Sequence, residues 1–151
     1  MAICYVSNTS IWFTFLAFFS IQLQGTLYNY YYVVLRTKSI GGDATSKIFE
    51  YKSPKALPGE KQELVNFLFK TYSIVYGGFD KIIHFLDKEA YKVKTFPNWF
   101  MTFLSAYGLG FQLLIIAIML PLGWIEFIIP FFVIYSILLF VLIGIRKKFI
   151  L

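Results

Sequence analysis

Between Trp99 and Ile145 the chain carries a single charged side chain, Glu126. Pro121-Leu122-Gly123 divides this run near its middle. Each half matches the roughly 20 residues that a helix rising about 1.5 Å per residue needs to cross a hydrocarbon core of about 30 Å. The run predicts a transmembrane helical hairpin, with helices near 99–120 and 124–145. The short connection makes them antiparallel neighbours. Hydrophobic residues make up 58% of the chain and charged residues 15%, where a soluble domain carries about 25% charged. A core of this size cannot hide so much apolar surface, so lipid or partner subunits are expected to cover the remainder.

A further apolar stretch, residues 11–35, is long enough to span, and residues 1–35 hold no charge. It is less apolar than the hairpin. Gln22, Gly25, Thr26 and Asn29 recur at i, i+3, i+4 and i+7, which places them in one helical stripe. Polar and small side chains in a span normally face protein, where hydrogen bonds and close backbone approach hold helices together. Trp12 and Tyr28–Tyr32 suit the two interfaces. A cleaved signal peptide is disfavoured, because no basic residue precedes the apolar core. Asn8-Thr9-Ser10 matches the glycosylation sequon but lies too close to the span for easy enzymatic access.

Residues 36–98 form a basic segment of different character. Residues 37–56, with Gly41-Gly42-Asp43 and Ser53-Pro54, read as a linker. Pro58-Gly59 introduces an amphipathic helix over about 60–76, and Gly77-Gly78 is expected to break it. A second helix follows over about 79–90, with Phe79, Ile82, Ile83, Leu86 and Ala90 on its apolar face. Asp80, His84 and Asp87 sit on the other face. Such helices, tied to spans at both ends, are expected to lie along the membrane surface or dock on a partner.

The formal net charge is +6, with fourteen Lys and Arg. None lies in residues 1–35 or 95–145. This is the segregation that the positive-inside bias produces, so it points to topology and not to nucleic acid. With three spans every basic residue falls on one side. The N-terminus and the Pro-Leu-Gly turn then lie outside, and the tail 146–151 lies inside.

In the hairpin, Ser105, Gly108 and Gln112 share a face, and Ala106 and Gly110 make a small-xxx-small pair. These are expected helix-packing and partner contacts, together with Gln22, Gly25, Thr26 and Asn29. The first-span stripe and the Ser105/Gly108/Gln112 face are natural packing partners. Pro130 falls early in the last helix. Glu126, near the turn, is the candidate functional carboxylate. Cys4 is the sole cysteine and forms no internal disulfide.

The expected fold is therefore an all-α integral membrane protein with three transmembrane helices and two short amphipathic interfacial helices between them. There is no P-loop, dinucleotide fingerprint, nucleophile elbow or metal-ligand spacing, so no catalytic, cofactor or metal residues are assigned. The expected role is a non-catalytic accessory subunit of a larger membrane complex. A respiratory-chain or ATP-synthase-type assembly is one home, in a mitochondrial inner membrane or bacterial plasma membrane. Its partners would be other membrane subunits and lipids. The alternatives are a small homo-oligomeric channel or transporter with a polar path between helices, and a membrane-bound enzyme using His84 with Asp80 or Asp87.

Overall fold

The computed structural model describes residues 2–39, 52–93 and 95–150. The expected turn at Gly41-Gly42-Asp43 and most of the linker lie outside these residues. Among the described residues there are eight α-helices, one short 3-10 turn and no strand. The helices are α1 (Ala2–Val6), α2 (Ile11–Ser39), α3 (Gln62–Val75), α4 (Gly77–Leu86), α5 (Asn98–Ser105), α6 (Leu109–Met119), α7 (Ile125–Tyr135) and α8 (Ile137–Phe149).

Two stretches are long and apolar enough to cross a membrane: Ile11–Thr37, within α2, and Ile125–Phe149, formed by α7 and α8. α5 and α6 meet the same criteria only together, and they are bent by 48° where they meet. The sequence predicts one helix there. It breaks because the chain tightens into i→i+3 hydrogen bonds at Ala106, Tyr107 and Gly108, a geometry that rarely persists. Gly108 then adopts extended backbone, with ψ 149°. A β-carbon at Gly108 would stand 3.0 Å from the Ser105 carbonyl oxygen and 3.8 Å from the Tyr28 ring, so only glycine fits without a shift. At the Pro-Leu-Gly turn, Gly123 takes φ +74°, a conformation that favours glycine.

α2 is the hub. It packs against α7, α4 and α5, and its Leu27, Tyr30, Tyr31 and Val34 enter one core with Ile83, Phe100, Leu104, Leu139 and Ile143. Tyr31 stands edge-on to Phe96 and Phe100, at ring separations of 5.3 and 5.5 Å. Edge-to-face pairs of this kind add about 0.5–1.5 kcal/mol each beyond buried area. A second core, Met119, Ile128 and Phe132, sits nearer the turn and receives Ile3 of α1. Asn8, with φ 52°, makes the corner between α1 and α2.

The amphipathic pair differs from expectation in two ways. Its break falls at Tyr76, and both Gly77 and Gly78 belong to α4. α4 also lies along α2 in the same chain direction. Phe79 meets Phe19, His84 meets Tyr30 and Asp87 meets Tyr31. Ile83 of α4 enters the core with α2, and His84 and Asp87 bond to Tyr30 and Tyr31 of α2, which hold the two helices together. α3 buries no side chain. Its start is pinned by Gln62, which accepts from the Ala56 amide at 2.8 Å and donates to the Pro54 carbonyl at 3.0 Å.

Candidate functional site

Polar side chains gather at three places along α2. The first joins α2, α4 and α8. Asp87 is fully buried. Its carboxylate pairs with the Arg146 guanidinium and accepts a hydrogen bond from the Tyr31 hydroxyl. Arg146 is also buried. Beside this triad, Tyr30 Oη and His84 Nδ1 are hydrogen-bonded at 3.0 Å. Periodicity explains the placement. Asp87 lies four residues after buried Ile83 and three before buried Ala90. Arg146 lies seven after Leu139 and three after Ile143, both buried. Each charge thus falls in phase with an apolar face and is carried inward. An isolated buried charge is costly, so each is retained only because the other neutralises it.

The second cluster joins α2, α6 and the α7–α8 junction. Gln24 is fully buried. Its amide nitrogen donates to the Phe132 carbonyl at 3.1 Å and to Ser136 Oγ at 2.7 Å. Its amide oxygen accepts from Gln112 Nε2 at 3.1 Å, and Gln112 also donates to the Ile21 carbonyl at 3.2 Å. A third pair of bonds repairs the two helix breaks. The Tyr107 hydroxyl donates to the Tyr135 carbonyl and the Tyr135 hydroxyl to the Ala106 carbonyl, each at 3.3 Å. Both carbonyls belong to turns where the α-helical ladder is interrupted, and in a hydrocarbon environment they have no water to bond.

The third place is a cleft of about 200 Å³ between α2 and the α3–α4 junction. It is lined by Gln22, Gly25, Thr26, Asn29, Tyr72, Tyr76 and Asp80. Partial burial pushes the Asp80 carboxyl above its ordinary value of 3.8, because removing water penalises the charged form. No ion pair to Asp80 occurs among the described residues. Tyr72 and Tyr76 stack at 5.2 Å.

The residues singled out in the sequence divide among these places. The stripe Gln22, Gly25, Thr26 and Asn29 is brought together, but it faces α3 and α4 across the cleft. Gln112 meets α2 through Gln24, which lies two residues from the stripe's Gln22 and on another side of the helix. Gly108 approaches Tyr28, and Ser105 is exposed, its hydroxyl donating to the Thr102 carbonyl at 2.7 Å. Glu126 is exposed in the first turn of α7. Arg146, Gln24 and Ser136 carry buried polar contacts without having been singled out, and Asp87, expected on the polar face beside His84, is buried and bonds Arg146 and Tyr31 instead. Arg146 in particular reads as one of three topogenic cations, and only its phase with Leu139 and Ile143 distinguishes it from exposed Lys147 and Lys148.

No family model, curated protein or solved structure matches this chain.

Proposed function

We propose that the chain is a three-span membrane subunit whose role is to pack against other helices and lipid, without chemistry of its own, inside a larger membrane assembly. The spans are α2, the bent α5–α6 pair and the α7–α8 helix. The observation that carries this reading is how the polar and apolar groups are distributed. Gln24, Gln112, Ser136, Asp87 and Arg146 all bond within the chain, so the buried polar groups act as internal fasteners. Large apolar side chains point outward on the hairpin, among them Leu109, Phe127, Ile134 and Phe140, and on α3, among them Phe67 and Ile74. An exterior of this kind wants lipid or another subunit.

The basic residues Arg36 and Lys38, Lys88 to Lys94, and Lys147 and Lys148 support an inside location for the two ends of segment 36–98 and for the C-terminus, with the N-terminus outside and α4 lying along the α2 span between those ends. An energy-converting membrane remains the proposed home. Blue-native electrophoresis after mild solubilisation tests the assembly. We expect a band well above the monomer, containing further membrane proteins. Migration solely as a monomer would overturn the reading.

The cleft favours a second reading, a small homo-oligomeric channel or transporter, because one of its walls is the polar stripe of a span. Reconstitution into liposomes separates the two. Solute flux above that of empty liposomes, from a band containing this chain alone, supports transport.

A further inference from the structure

We propose that the cleft between α2 and the α3–α4 junction binds a singly charged ammonium group, with Asp80 as the counter-charge and the stacked Tyr72–Tyr76 pair as its aromatic wall. The chemistry of the lining selects this ligand. Among the described residues Asp80 is the one acid in the wall and no Lys or Arg lines it, so these residues favour a cation over an anion. Gln22, Thr26 and Asn29 add neutral oxygen acceptors. A divalent metal ion wants six to eight oxygen ligands with several carboxylates, or a tight octahedron, and a single carboxylate supplies neither.

A cavity of about 200 Å³ also exceeds what a bare ion fills, since one water occupies about 30 Å³ of liquid. An ammonium with carbon substituents uses the room. Aromatic faces attract such cations through the ring quadrupole, and quaternary ammonium recognition by aromatic walls is a known use of that attraction. Gly25 has nothing within 4 Å of where a β-carbon would stand, so its wall is left open to the ligand. The raised Asp80 carboxyl fits a site that takes a cation: burial has removed part of its water, and no side-chain cation pairs with it among the described residues.

Ammonium groups come from two sources, a free organic amine or the headgroup of a zwitterionic lipid. Asn29, within Tyr28–Tyr32, marks the end of the cleft nearest the expected aromatic belt, and the cleft runs from there toward Gln22 in the middle of the span.

The test uses the full chain in lipid nanodiscs. Choline chloride and ethanolamine are titrated calorimetrically, with sodium chloride as the control. Native mass spectrometry then compares retained lipids after reconstitution in mixed phosphatidylethanolamine, phosphatidylcholine and phosphatidylglycerol. Saturable choline or ethanolamine binding, weakened at least tenfold by Asp80→Asn, supports a free amine. Selective retention of phosphatidylethanolamine or phosphatidylcholine over phosphatidylglycerol, lost in Asp80→Asn, supports a headgroup. Tyr76→Leu, which keeps the carboxylate, should weaken either by several-fold, and it serves if Asp80→Asn does not fold. No saturable binding and no lipid preference, or binding equal in wild type and both variants, overturns the proposal.

Discussion

Arg146 closes its guanidinium onto Asp87 across 59 positions of sequence, with both side chains buried. The pair ties the end of the last helix to α4, and through the Tyr31 hydroxyl it ties both to α2. Three helices thus share one carboxylate. Such a pair fixes an arrangement more than it adds net stability. The attraction between the charges is offset largely by the cost of removing both from water, but either charge left alone has no compensation.

The energetic asymmetry gives the first prediction. Asp87→Ala and Arg146→Ala should each destabilise the fold by about 3–5 kcal/mol. The double substitution Asp87→Leu with Arg146→Met should cost much less than the sum of the two. Unfolding midpoints in detergent micelles, arranged as a double-mutant cycle, measure the difference. Additive effects would mean that the two side chains do not act as a pair.

The second prediction concerns the amide relay. Gln112→Leu removes the donor to Gln24 Oε1, and Gln24→Leu removes both sides of the relay at once. Interhelical hydrogen bonds in membrane proteins contribute about 0.6 kcal/mol on average and about 1.7 at most. Gln24→Leu should therefore exceed Gln112→Leu, with both between about 0.5 and 3 kcal/mol, because Gln24 serves three partners. Equal costs would show that the bonds to Phe132 and Ser136 carry little.

How much of this was legible beforehand depends on the range over which each signal acts. The apolar runs are local, so residues 11–35 and 124–145 announce long helices, and the Pro-Leu-Gly turn announces the reversal. The bend between α5 and α6 was less legible. Ser105 and Gly108 stand out as small residues, but the same residue types serve for close helix packing and for a broken helix. Gly108 does both, meeting Tyr28 where the helix breaks. The ion pair could not be read as a pair at all. Its two phases are visible separately, Asp87 with Ile83 and Arg146 with Ile143, but nothing local says that the two faces meet. The stripe of α2 was legible as a stripe. Which neighbour it faces depends on α4 lying along α2, which is set by the Tyr30–His84 and Tyr31–Asp87 contacts.

The two tyrosines at the helix breaks give a third prediction. Tyr107→Phe leaves the Tyr135 carbonyl without its hydroxyl, and Tyr135→Phe does the same to Ala106. Ring packing at 4.8 Å is kept in both variants, so only the hydrogen bond is lost. Each should cost about 1 kcal/mol, the usual net value of one hydrogen bond. Because the carbonyls sit at breaks in the ladder, amide hydrogen exchange should rise around 105–109 and 135–137 and stay unchanged at Leu27–Val34. Exchange rising evenly through the chain would instead indicate global loosening.

The fourth prediction is a pH dependence that Asp80 imposes. Its carboxyl is held above the ordinary 3.8 by burial, while the unfolded chain titrates near the ordinary value. The fold therefore prefers the neutral acid. That contribution is fully present below about pH 4, and it is lost as pH rises through the higher folded value. Among the described residues, the groups facing Asp80 are Tyr30 and the stripe of α2, Tyr72 from α3, Tyr76 at the α3–α4 break, and His84 one turn further along α4. No carboxylate among them competes in that range. Asp80→Asn cannot ionise, so the difference in unfolding midpoint between it and wild type should widen in favour of the variant as pH rises from about 4 toward 7. A difference that is flat with pH would place Asp80 in full contact with water. One that shrinks would mean the folded chain favours the carboxylate, as it would if a bound cation were already present in the purified protein. Washing with sodium chloride before the titration separates that case, because removing the cation should restore the widening.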